Sequence, residues 1–356
     1  MYRSSLEQTI RERARALGFD ALGIARADLP LDTEFARYEA FLDAGMHGSM
    51  TWLAENREVR RRLDTADILK GARSVLCLAI RYARPEKEVV PGSVASLIAR
   101  YARGQDYHNA IRKRLRKLAA FVRTLGEGVE ARPMIDTAPV LERAWAARSG
   151  LGFLGKNGLI IVPGQGSYLL LGEVVTTLEL PPGEPMTERC GSCTRCLDAC
   201  PTGAFPAPFV LDTRRCISAL TIEHRGPLDE PIHSSLGEHL FGCDVCQEVC
   251  PFNRTRPPPP ERTRLFAPLS RWQQMTPEQL LEATDLDALR KGSPLYRCPP
   301  AELLRNALSV LVHRNARNAL PAIQRLAREH PEPWLRAHAR QAAEALGGAL
   351  PSAEIV

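Results

Sequence analysis

The apolar positions of the first 180 residues change period several times, the pattern of helices interleaved with strands. Leu6, Ile10, Ala14 and Leu17 share one helical face, Ser5 with Gln8 reads as a capping box at its start, and Gly18 ends it. FDALGIARAD and SVLCLAIRY read as strands. Ile111, Leu115, Leu118, Val122 and Leu125 mark a second helix, and Arg132 to Asp136 a short strand. PVLERAWAARSG is a helix with Pro139 in its first turn and Gly150 at its end. GLIIVPG and SYLLLGEVVTTLEL read as two paired strands around a Gly/Pro turn.

Two proline-rich stretches interrupt the pattern. ELPPGEP and RTRPPPPERTR cannot continue a helix or a central strand, so they read as linkers. Beyond residue 300 the apolar positions keep a helical spacing broken at HPEP, and LLRNALSVL and WLRAHARQA are similar openings about thirty residues apart. That spacing suggests a short HEAT-like α-helical repeat. The expected architecture is α+β in three parts: a mixed α/β domain over 1–180, a cysteine-rich domain over 181–258 and a helical domain over 259–356.

Composition narrows the class. No apolar run nears the roughly 20 residues of a membrane helix, and the first residues lack the apolar stretch of a signal peptide, so a cytoplasmic protein is expected. The net charge of +6 permits an anionic partner without demanding one. Eight of the ten cysteines fall between Cys190 and Cys250, and disulfides are not expected in a reducing compartment. Cys77, inside SVLCLAI, reads as a buried thiol; Cys298 has no partner spacing.

The clustered cysteines carry the chemistry. CGSCTRCLDACP has the C-x2-C-x2-C-x3-C-P run of bacterial two-cluster ferredoxins, in which the fourth thiolate crosses to the other cluster. CDVCQEVCP and Cys216 supply the second set. The crossing rule assigns Cys190, Cys193, Cys196 and Cys250 to one 4Fe–4S cluster, and Cys200, Cys216, Cys243 and Cys246 to the other. Paired structural zinc sites need neither a third close cysteine nor a crossing partner. With every iron ligated, the clusters relay electrons and the chemistry belongs elsewhere. The upstream domain carries neither G-x-G-x-x-G nor a P-loop, and Asp106-Tyr107-His108 begins like one cobalamin motif but has Ile111 at its glycine position.

IDTAPVLERAWAARSGLGFLGKNGLIIVPGQGSYLLLGEVVT, with ARGQDYH, RCISALTIEHRG and FGCDVCQEVCPFN, resembles the epoxyqueuosine reductases over about residues 5–345. The resemblance implies cobalamin in the N-terminal domain, fed by two 4Fe–4S clusters, and reduction of epoxyqueuosine to queuosine at the wobble position of tRNA. Such a reaction needs two electrons, two protons and an acid for the departing oxygen. The resemblance makes Asp136 the proton donor; by position alone it reads as a helix N-cap. It also places Arg62, Asn157, Ile160 and Leu171 at the cobalamin, and lets Ser218 and Asp244, beside cluster cysteines, face the cofactor. The expected partners are a tRNA with a queuosine-type anticodon and a flavodoxin- or ferredoxin-like reductant, with the enzyme a monomer. The stretch IRKRLRKL is a candidate tRNA surface or simply the solvated face of a helix. Two competing readings are a related cobalamin reductase of a small molecule, such as a dehalogenase, and a non-catalytic electron-transfer protein.

Overall fold

The computed structural model describes residues 2–229, 232–254 and 264–348. The N-terminal part contains α1 (Tyr2–Ala16), β1 (Ala21–Arg26), α2 (Asp32–Asp43), α3 (Arg57–Arg61), β2 (Ser74–Arg81), α4 (Tyr107–Arg123), β3 (Ala131–Met134), α5 (Glu142–Arg148), β4 (Phe153–Leu154), β5 (Ile160–Ile161) and β6 (Leu169–Thr176). Strands β1, β2, β6 and β3 form, in that order, one antiparallel sheet. Its central strand is apolar without a break because both faces are covered. Leu76, Leu78 and Ile80 pack with Ile10 of α1 and with Ile111, Leu115 and Leu118 of α4, while Val75, Cys77 and Ala79 pack with Trp145 and Ala146 of α5.

Three local expectations are corrected. Helix α1 already spans Ser5, whose carbonyl accepts from the Thr9 hydroxyl at 2.8 Å, so Ser5 is not a cap; Gly18, at φ +87°, does end the helix. Helix α5 starts at Glu142 rather than near Pro139, because a turn from Ile135 to Ala138 comes first. β5 and β6 are not partners. β5 pairs with β4, β6 pairs with β2 and β3, and the Val162 to Gly166 bridge only closes the turn that precedes the second run. The long-range partner wins because it lets β6 bury both faces.

The cysteine segment holds three short helices, α6 (Arg195–Asp198), α7 (Ile217–Ile222) and α8 (Val245–Glu248), joined by turns. It rests on the β4–β5 ribbon, where Phe153 and Ile161 pack with Cys190, Cys250 and Phe252. The C-terminal part is helical: α9 (Ser270–Gln274), α10 (Pro277–Leu281), α11 (Leu286–Arg290), α12 (Pro300–His313), α13 (Leu320–Glu329) and α14 (Pro333–Ala345). The proline run Pro257 to Pro260 lies outside the described residues.

The parts interlock. Val94, Ala95, Leu97, Ile98 and Ala102, which precede α4, belong to the core of the C-terminal helices, and Ile98 bridges Phe241 in parallel. The loop entering α4 is tied the same way: the amides of Gln105 and Asp106 donate to Leu265 and Gly292 carbonyls at 3.0 and 2.9 Å. From α12, the fully buried Arg305 donates to the carbonyls of Leu220 at 2.9 Å and Gly226 at 2.6 Å, and Asn306 donates to those of Thr221 and Leu240 at 2.9 and 3.0 Å. A buried cation without a carboxylate is tolerated here because carbonyl dipoles surround it.

Candidate active site and cysteine segment

Asp136 follows β3 and lies six residues before α5, so it caps no helix. Its Oδ2 accepts from the Tyr107 hydroxyl at 3.0 Å and lies 3.0 Å from His108 Nε2; His108 Nδ1 lies 2.6 Å from Asp106 Oδ1. Asp106 also caps α4 through the His108 amide. Helix α4 thus begins with three residues that position one carboxylate. Burial alone would lower the imidazole's pKa, but the bonds to Asp106 and Asp136 together raise it to about 9. For Asp136, burial would raise the pKa, yet His108 and Tyr107 outweigh it and hold the carboxyl below its ordinary range. At neutral pH the proton of this pair therefore sits on His108.

Asp136 lines a cavity of about 200 Å³ with Tyr107, Glu142, Arg143, Leu159, Ile160, Ser167 and Leu171 among its walls. The Asp136 side chain remains 41% exposed, so it can be reached from this space. Part of the floor is an uncovered strand edge: β3 pairs with β6 only from Glu173 to Thr176, which leaves Leu169 to Gly172 open on that side. An apolar wall beside a strand edge that β3 leaves unpaired suits the face of a flat ring.

The eight thiols fall into two groups. Cys190, Cys193, Cys196 and Cys250 surround a cavity of about 180 Å³ with Lys156, Asn157, Ile161 and Arg189, and Cys250 senses Cys193 electrostatically. Cys243 senses Cys216 and Cys200, and Cys246 senses Cys243 and Cys216. Cys246 also senses Cys196, so the groups adjoin. Burial pushes the Cys190 thiol up to about 11 and Cys243 up to about 12. Without a cationic centre these thiols keep their protons, and a ligand that favours thiolates fits the site. Among the described residues no three His, Cys, Asp or Glu side chains close on one ion position; four thiols around a cavity suit a cubane better than zinc.

Of the residues read from the sequence, Asp136, Ile160 and Leu171 come together in the first cavity. Asn157 stands in the wall between the two cavities, donating to the Cys246 carbonyl at 3.5 Å. Arg62 pairs with Asp64 at 3.7 Å and lines neither cavity. The Ser218 amide supports the Cys216 sulfur. Buried Asp244 accepts from the Arg100 amide at 2.7 Å and from Gln247 at 3.1 Å, tying the cluster segment to the loop before α4. Tyr107, His108, Glu142 and Glu173 were not read as site residues. One signal was present for Glu173: it is the single charge within LLLGEVVT. On α4, Lys113, Arg116 and Lys117 are exposed opposite the buried face.

A family model described as "Epoxyqueuosine reductase QueG, DUF1730" matches residues 62–137, and a 4Fe-4S double cluster binding domain matches residues 189–253. An epoxyqueuosine reductase of Gloeobacter violaceus is 42% identical over 308 residues, covering 85% of this chain and 94% of that one. That of Escherichia coli is 36% identical, covering 81% and 77%. A crystal structure of an epoxyqueuosine reductase with an epoxyqueuosine-modified tRNA-Tyr stem loop superposes with a TM-score of 0.88 at 30% identity, covering 97% and 91%. The Bacillus subtilis enzyme, with a catalytic loop named for an aspartate swung out of its active site, gives 0.87 at 29% identity, covering 96% and 91%.

Proposed function

The chain belongs to the epoxyqueuosine reductase family of oxidoreductases, and from that premise we propose that it reduces epoxyqueuosine to queuosine at the wobble position of tRNA. One observation carries the reading: the loop from Lys156 to Ile161 lines both cavities, Asn157 and Ile161 facing the cysteines and Leu159 and Ile160 facing Asp136. The redox segment and the acid are one loop apart. Cys190, Cys193, Cys196 and Cys250 hold one 4Fe–4S cluster, and Cys200, Cys216, Cys243 and Cys246 the other. Cobalamin, bound against Ile160, Leu171 and the open edge of β6, supplies a strongly reducing cobalt centre.

The protein's own part is positioning and proton supply. Asp136 delivers to the departing oxygen a proton that His108 stores at neutral pH, and Tyr107 fixes the carboxylate's direction. The tRNA reading is supported by the stem loop bound to the relative of the same fold. The helical C-terminal part, a HEAT-like array in this reading, and the exposed basic residues of α4 are candidate phosphate contacts. The exposed Arg189 and Arg195, with Lys156, rim the cysteine cavity and fit an acidic flavodoxin- or ferredoxin-like donor. Among the described residues no helix is long and apolar enough to cross a membrane.

The test is anaerobic reconstitution with iron, sulfide and cobalamin, followed by assay on tRNA carrying epoxyqueuosine. Cluster and cobalamin spectra with queuosine formation are expected. Clusters without cobalamin uptake, and no queuosine, overturn the reading.

A further inference from the structure

The reduction consumes two protons, and the Asp136–His108 pair stores one. Behind Asp136 lies a second acidic feature that this pair does not use. Glu142 opens α5 and lines the cavity; Glu173 sits on β6 with 1% exposure, on the face turned toward α5. The two carboxyl groups lie close enough for each to bear on the other's ionisation, and Glu142 Oε1 and both Glu173 oxygens are buried without a donor. Two acceptors can bond only if one carries a proton.

The surroundings give the same result. Glu142 is faced by Asp136, by Arg143 of its own helix and by His108 of α4; Glu173 is faced by Glu142 and Asp136, and Cys77 of β2 lies opposite it in register. Arg143 can balance one negative charge near Glu142, and His108 is already committed to Asp106 and Asp136. No cation faces Glu173 among the described residues. Two buried carboxylates in contact cannot both ionise there, and one stays protonated at neutral pH.

We propose that Glu142 and Glu173 share a proton that serves as the second proton of the reduction, released into the Asp136 cavity through Glu142. This rests on the reading of the chain as an epoxyqueuosine reductase. The balance closes: two C–O bonds of the epoxide break and one carbon–carbon π bond forms. Two electrons come from a one-electron iron–sulfur donor system, and the oxygen leaves as water with one proton from the Asp136–His108 pair and one from the glutamates. Glu142 faces the reacting space; Glu173 is a positioning residue that acts through it.

The test is infrared spectroscopy of the reconstituted protein in H2O and D2O, together with single-turnover assays across pH. At neutral pH the wild type should show a protonated-carboxyl band that shifts in D2O and disappears in Glu173→Gln. That variant should turn over about ten- to a hundredfold more slowly. Its melting temperature should not fall, because the amide can donate where the proton was. Its rate should lose the decline that the wild type shows as the shared proton leaves above the ordinary glutamate range, and Glu173→Asp should recover part of the activity. Glu142→Gln, at a half-buried position, gives the same readouts if Glu173→Gln fails to fold. A wild type without the band, or Glu173→Gln with unchanged rates at every pH, overturns the pair's role. A wild type that has the band but makes no queuosine overturns the functional reading instead, and with it the destination of this proton.

Discussion

Around the cysteines, neighbours in sequence are neighbours in space: Cys190, Cys193 and Cys196 wrap one cavity, and only Cys250 arrives from farther along the chain. Around Asp136 the reverse holds, since His108, Glu142, Leu159 and Leu171 come from four separate elements. Chelation of a compact cluster is therefore written as local spacing. An acid held at a chosen protonation state depends on tertiary packing, because each neighbour that sets its pKa must be brought in by a different helix or strand.

That contrast can be tested from both sides. The largest effect expected is from Asp136→Asn, which should lower queuosine formation about a thousandfold while leaving the cluster absorbance intact; near-wild-type turnover would show that the acid lies elsewhere. Next, Cys200→Ser should strip iron from the group of Cys216, Cys243 and Cys246 rather than from its sequence neighbour Cys196, roughly halving iron and sulfide content. Loss of the Cys196 group instead would refute the crossing. Arg305→Leu should cost about 3 kcal/mol in urea unfolding, because the buried Leu220 carbonyl and the part-buried Gly226 carbonyl lose their donor.

The smallest effect separates pairing from packing. His108→Gln should slow turnover about tenfold and remove a pH-dependent share of stability. The folded imidazole titrates near 9 against an ordinary 6.5, so its contribution is full below 6.5 and is lost as pH rises through about 9. Melting temperatures of wild type and variant should differ most at mildly acidic pH and converge above about 9. A constant difference across that range would mean that His108 acts through packing alone.

The same division governs what the sequence disclosed. Strands β1 and β2 are legible as short apolar runs, and helix α4 because its apolar positions keep one helical period over its length. The partner of β6 is not, since the turn beside it offers a plausible hairpin while β2 lies far upstream. Asp106, Tyr107 and His108 stand in the sequence only as an incomplete motif. Their function depends on Asp136 reaching α4 across the end of β3, which no spacing expresses. Glu173 is hidden for the opposite reason: one ionisable residue in an apolar strand has no period, although a lone carboxyl in such a strand is itself a sign of chemistry.

The segment that leaves the sheet to join the C-terminal helices has a consequence for how the protein is made. Val94 to Ala102 leave the ribosome roughly two hundred residues before the helices that bury them. Until Gly292 has been made, the loop that opens α4 lacks the carbonyl that anchors Asp106, so Tyr107 and His108 are not yet held in place. The surroundings of Asp136 are therefore completed only after the C-terminal helices have been made. A chain truncated after the cysteine segment is thus expected to leave Ile222, Leu240 and Phe241 without their core and to be inert toward tRNA.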